Sequence, residues 1–101
     1  MRVLLCNTPP DKAAEIARAV VDDGLAACVN IIPGVRSFYV WEGKICDDAE
    51  STLLLKVRDE GVDALREALV ALHPYEVPEV VVLTVDSASS HRPYVDWVRG
   101  A

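Results

Sequence analysis

Two kinds of side chain here could hold a metal ion or move a proton: the thiols of Cys6, Cys28 and Cys46, and the imidazoles of His73 and His91. A thiolate and an imidazole together suit Cu(I) or Zn. The spacing contains no C-x-x-C pair, which excludes a zinc ribbon, and an odd set of cysteines reads as free thiols in a reducing compartment. His73 opens the dense stretch His73-Pro74-Tyr75-Glu76-Val77-Pro78-Glu79. The two prolines fix an extended connection. Within it, His73 is either a cap on a helix C-terminus or a metal-ligating and acid-base group. His91 follows a Ser-rich loop near Asp86 and Asp96, so a Ser-His-Asp hydrolase site can be drawn. No strand–Gly-x-Ser-x-Gly–helix elbow accompanies it, and Ser90 and His91 read instead as a helix start.

A second group of candidates lies mid-chain. Tyr39 and Trp41 precede the turn Glu42-Gly43-Lys44. Their rings could stack on a ligand, but aromatics on strands more often pack across strands or across an interface. Glu50 and Lys56 fall on one side of a strand by its period of two. They either pair across a subunit seam or line a solvated edge, and the sequence leaves both open. Asp22-Asp23 and Asp47-Asp48 read as solvated turn and helix-end residues.

These side chains need elements to position them. Residues 1–6 form an apolar first strand. Thr8 offers an N-cap and Pro9-Pro10 suit a first helical turn. Ala13, Ile16, Ala17, Val20 and Val21 make a helical stripe, which Gly24 stops. A second strand runs from 26 or 27 to about 41, with a bend or bulge at Pro33-Gly34. Gly43 permits a tight turn, and a third strand runs from about 44 to 58. Asp59-Glu60-Gly61 opens a second helix, striped by Val62, Leu65, Leu69 and Leu72, which His73-Pro74 ends. Residues 79–85 form a fourth strand. A last helix begins near Ser90 and carries Tyr94, Val95, Trp97 and Val98.

The order β-α-β-β-α-β plus a terminal helix predicts an α+β, ferredoxin-like sandwich in one domain over residues 1–101, with a long hairpin between strands two and three. Right-handed crossovers set strands one and four side by side and antiparallel. Cys6, ending strand one, and His73, preceding strand four, then meet at one edge. Both crossover helices cover one face of the sheet. Yet Val80-Val81-Val82-Leu83 and Leu53-Leu54-Leu55 are apolar on both faces. Each such side chain left in water forfeits about 1.5–3 kcal/mol of burial. One short helix is too small to cover that face, so a closed oligomer is expected.

The 101 residues are half apolar and carry a net charge of −6. That balance argues against a nucleic-acid surface, which needs clustered Lys and Arg. Val3-Leu4-Leu5-Cys6 is too short for a signal peptide or a membrane span, and no apolar run precedes it that would suit a lipoprotein. The expectation is a cytoplasmic protein without membrane or nucleic-acid partners.

In combination and order, several stretches resemble the CutA family of divalent-cation tolerance proteins. They are Leu25-Ala26-Ala27-Cys28-Val29-Asn30, Ile32-Pro33-Gly34, Ser37-Phe38-Tyr39, Trp41-Glu42-Gly43-Lys44, the stretch from His73 to Glu79, and Tyr94 with Trp97. The resemblance spans nearly the whole chain. It implies a homotrimer built like the PII signalling proteins, with high stability in many members and a link to copper and other divalent metals, and the expectation is a protein without catalysis. Copper ligands in some members are a Cys closing strand one and two adjacent His before Pro-Tyr, which Cys6 and His73 match. Leu72 stands where the first His would be, and Lys56-Val57 replaces the more usual Lys-Thr. Weak copper binding at Cys6 and His73 is the expectation. Tyr39, Trp41, Glu42, Lys44, Glu50, Lys56 and Tyr75 are expected at a subunit interface or cleft. The alternative is a PII-like trimer sensing a small molecule or nucleotide in clefts lined by the hairpin and the His73 loop. Against the nucleotide stand the absence of a Gly-rich phosphate loop and the scarcity of basic residues.

Overall fold

The computed structural model describes residues 1–100. The elements are β1 (Arg2–Thr8), α1 (Ala13–Asp22), β2 (Cys28–Trp41), β3 (Lys44–Val57), a 3-10 turn (Asp59–Gly61), α2 (Val62–Leu72), β4 (Val80–Thr84) and α3 (Arg92–Arg99). The strands form one antiparallel sheet in the order β2-β3-β1-β4. This is the expected α+β arrangement, with β1 and β4 adjacent.

Alternation along β1 and β3 sorts the two faces. Leu4 lies opposite Leu55 and Cys6 opposite Leu53, and all four are fully buried. They pack with Ile16 and Val20 of α1 and with Leu65 and Leu69 of α2 in one cluster. Each large side chain there contributes about 1.5–3 kcal/mol. α1 ends as a Schellman motif, with Gly24 N–H on Val21 O at 3.0 Å and Leu25 N–H on Val20 O at 2.9 Å. Gly24 sits at φ +70, a conformation that only glycine adopts without strain.

Two local expectations fail. Thr8 is not the N-cap of α1. It is the last residue of β1, paired with Ser51 of β3 and fully buried, and Lys12 takes the cap position. Sheet pairing satisfies more backbone groups than a single cap bond does. Asp59–Gly61 likewise forms a 3-10 turn ahead of α2 rather than its first α turn.

The hairpin outreaches the rest of the sheet. β1 pairs only with residues 51–57 of β3, whereas β2 stays paired from Cys28 to Trp41. The register shifts between Ile32 and Val35, where the Pro33-Gly34 bulge was expected. Residues 35–50 thus project as a two-stranded arm, closed at Glu42 (φ +51) and Gly43 (φ +78). The other sheet face is only partly covered. α3 packs Val95 and Val98 against Met1, Val3, Ala27 and Val85. Farther along, Ile32, Val81 and Leu83 stay 42–45 % exposed. Among the described residues no helix is long and apolar enough to cross a membrane.

Candidate functional site

His73 follows α2 directly. Its extended backbone (ψ 137) is the conformation that Pro74 imposes on the preceding residue. The ring turns inward and is 7 % exposed. The backbone N–H of Tyr75 donates to Nδ1 at 3.1 Å. Nδ1 must therefore be the acceptor nitrogen, which puts the ring proton on Nε2. Nε2 in turn donates to Asn7 O at 2.7 Å. Both nitrogens are committed, and the imidazole ties the end of β1 to the 73–79 loop. The chain of contacts continues, since the Tyr75 ring lies 4.7 Å from that of His73 and its hydroxyl donates to Glu50 Oε2 at 3.0 Å.

Cys6 lies one residue before Asn7, so the topology brings Cys6 and His73 to one end of the sheet. The thiol is fully buried. Burial, with smaller contributions from the nearby Glu79 and Glu50 carboxylates, pushes it up from 9.0 to about 12. A metal needs the thiolate, and this environment opposes it. In this resting arrangement neither Cys6 nor His73 presents a ready ligand atom. Leu72 adds none, and no group of three or more His, Cys, Asp or Glu among the described residues is placed to hold a metal ion.

A larger feature stands beside the His73 loop. A cleft of about 600 Å³ runs between the arm and residues 74–79, lined by Asn7, Tyr39, Trp41, Asp48, Glu50, Pro74, Tyr75, Glu76, Val77 and Glu79. Four of these are carboxylates, and none of the described lining residues is Lys or Arg. The register explains how the arm supplies them. Tyr39 lies opposite Cys46 and Ser37 opposite Asp48, so alternate residues of β2 and β3 share a face. Tyr39 donates its hydroxyl to Asp48. That bond is the main reason its hydroxyl is shifted above the ordinary tyrosine range. Burial, then the Glu50 carboxylate, pushes Tyr75 up to about 12. Both phenols therefore remain hydrogen-bond donors through neutral pH.

Of the expected interface or cleft residues, Tyr39, Trp41, Glu50 and Tyr75 line this cleft. Glu42 and Lys44 lie at the tip of the arm. Lys56 lies far along β3, its Nζ 4.0 Å from Cys28 Sγ. The sequence does not single out Asn7, Asp48 reads there as solvated, and Glu76 and Glu79 stand out only as part of the stretch from His73 to Glu79. The period-two run Cys46, Asp48, Glu50 was the available signal for Asp48. The Ser90 hydroxyl donates to Asp86 O at 2.7 Å, and His91 takes the N-cap position of α3.

The model of the CutA1 divalent ion tolerance protein family matches residues 2–101. The chain belongs to the CutA family. Its relatives include the divalent-cation tolerance protein CutA of Thermus thermophilus, 45 % identical over 98 residues, which cover 96 % of this chain and 93 % of that one. Human protein CutA is 48 % identical over 92 residues, 90 % of this chain but only 50 % of the human one. Among solved structures, the PII-like protein CutA from Nostoc in its apo form superposes with a TM-score of 0.96 at 45 % identity, covering 99 % of this chain and 95 % of that one. The chain shares the PII-like build of that structure, and its own cleft under the arm is acidic.

Proposed function

We propose that this chain works as a non-catalytic homotrimer of divalent-cation tolerance, taking cations into the cleft under its arm. The observation that carries this is the lining of that cleft, four carboxylates without a described basic residue. Such a lining attracts cations and repels phosphates. The trimer is supported by the apolar sheet face that α3 leaves open at Ile32, Val81 and Leu83, which a soluble protein covers with other subunits. Three free cysteines suit a reducing cytoplasm.

Copper at Cys6 and His73 is weak in this reading. It must remove a proton from a thiol held near 12 and displace Asn7 O or the Tyr75 N–H from the ring. Copper(I) competition titrations on the wild type and Cys6→Ser test that part, and equal affinities remove the site. Calorimetric titration with Mg2+, Zn2+ and Cu2+ tests the cleft. Binding that Asp48→Asn and Glu79→Gln weaken is expected, and binding indifferent to both would sink the cation reading. A second reading is small-molecule sensing in this cleft, with a neighbouring subunit of the trimer completing it, and the aromatic walls Tyr39, Trp41 and Tyr75 favour it.

A further inference from the structure

Glu50 is a buried carboxylate with half its hydrogen-bonding capacity unused. It is 6 % exposed, and one oxygen, Oε2, accepts the Tyr75 hydroxyl. Oε1 has no described partner. Since no buried side-chain oxygen is left unsatisfied among the described residues, Oε1 must reach the surface, and the surface that Glu50 lines is the cleft. A carboxylate mostly withdrawn from water favours a donor or a positive charge on the oxygen it still exposes. The protein supplies neither at Oε1. The arm's own guanidinium, Arg36, is held by Asp47 through two bonds of 2.9 and 2.8 Å.

We infer that the cleft binds a small organic cation carrying N–H donors, a protonated amine or a guanidine, with its charged head on Glu50 Oε1. This rests on the small-molecule reading of the cleft. The chemistry of the walls selects the class. Trp41, Tyr39 and Tyr75 line the cleft, and aromatic rings attract a desolvated cation. Asp48, Glu76 and Glu79 extend the negative field toward the rim. Tyr39 and Tyr75 spend their hydroxyls on Asp48 and Glu50, so neither phenol is a free donor toward the ligand. An anion or phosphate ester meets the wrong sign. A bare metal ion would be held loosely, since no three described ligands stand close enough to close a shell, whereas an elongated cation can bridge carboxylates that are farther apart. A cavity of about 600 Å³ falls within the ~300–1,000 Å³ range of small-ligand sites.

Isothermal titration of the assembled protein with agmatine, which bears an ammonium at one end and a guanidinium at the other, tests this. Glutarate serves as an anionic control and Mg2+ as a metal control. Saturable agmatine binding is expected, weakened by added salt and reduced about tenfold or more in Glu50→Gln, as befits loss of a charge-assisted hydrogen bond. Trp41→Leu should weaken it separately. If Glu50→Gln fails to fold, Glu76→Gln and Glu79→Gln on the rim must still lower the affinity. Absence of saturable agmatine binding overturns the inference, as does affinity equal in wild type and the carboxylate variants. Glutarate binding without agmatine binding overturns the organic-cation class and leaves small-molecule sensing standing. Mg2+ binding alone overturns both in favour of a metal site.

Discussion

His73, which the sequence offers either as a helix cap or as a metal ligand, ties two segments of the fold together. Its ring satisfies a backbone carbonyl on one side and a backbone N–H on the other. His73→Ala strands both groups in a buried setting, so a loss of about 1–3 kcal/mol is expected in chemical unfolding. A loss too small to measure would mean that water replaces the ring and that the imidazole does not hold the loop. Cys6 makes a prediction about pH. Its folded value is raised above the ordinary 9.0, so the folded state keeps a proton that the unfolded chain releases. That contribution is complete below about pH 9 and is lost as pH climbs toward about 12. The slope approaches about 1.4 kcal/mol per pH unit. Tyr39 and Tyr75, also raised, join only above their ordinary 10.0. Stability measured between pH 9 and 10 should fall less steeply in Cys6→Ala than in the wild type. Identical slopes would contradict the buried-thiol argument.

At the scale of elements, the arm depends on its turn. Trp41 and Lys44 close the ladder, and both residues between them have positive φ, the signature of a type I′ turn. Gly43 meets that demand freely, but Glu42 does not, since a left-handed conformation costs a side-chain-bearing residue about 1–2 kcal/mol. Asn tolerates it better. Glu42→Asn should raise stability by about 0.5–1 kcal/mol, measured as a higher unfolding midpoint with unchanged slope. No gain, or a loss, would show that Glu42 makes a compensating contact elsewhere, such as with another subunit. Gly43→Ala should act in the opposite direction.

For the whole molecule, the question is what covers the open sheet face and the arm. Phe38 is 63 % exposed, Val40 67 % and Ile45 80 %, too much apolar surface for a soluble monomer. Light scattering coupled to size exclusion should return three times the chain mass. Leu83→Asp, placed on the uncovered face beside Val3 of β1, should lower that mass or weaken the assembly, because a carboxylate cannot enter an apolar seam unpaired. A wild-type monomer at micromolar concentration would refute the trimer. A Leu83→Asp trimer as stable as wild type would move the seam off this face.

Much of the architecture was legible in the chain itself. Period-two runs, helical stripes and the stops at Gly24, Gly43 and Pro74 act over a few residues, so their physics is local. The element order and the crossover rule then placed Cys6 and His73 at one edge without coordinates. Thr8 was misread because its competing partner, Ser51, is remote in sequence. The same reason hid the fate of His73, whose partner Asn7 O lies 66 residues away. The hairpin and the His73 loop were legible as cleft walls, but not that they meet within one chain, where Asp48 and Glu50 face Glu76 and Glu79. Local propensity decides which elements form. Burial, hydrogen-bond pairing and the summed field of charges depend on through-space distance, so the tertiary structure alone decides which side chains are spent on the fold and which are left for a ligand.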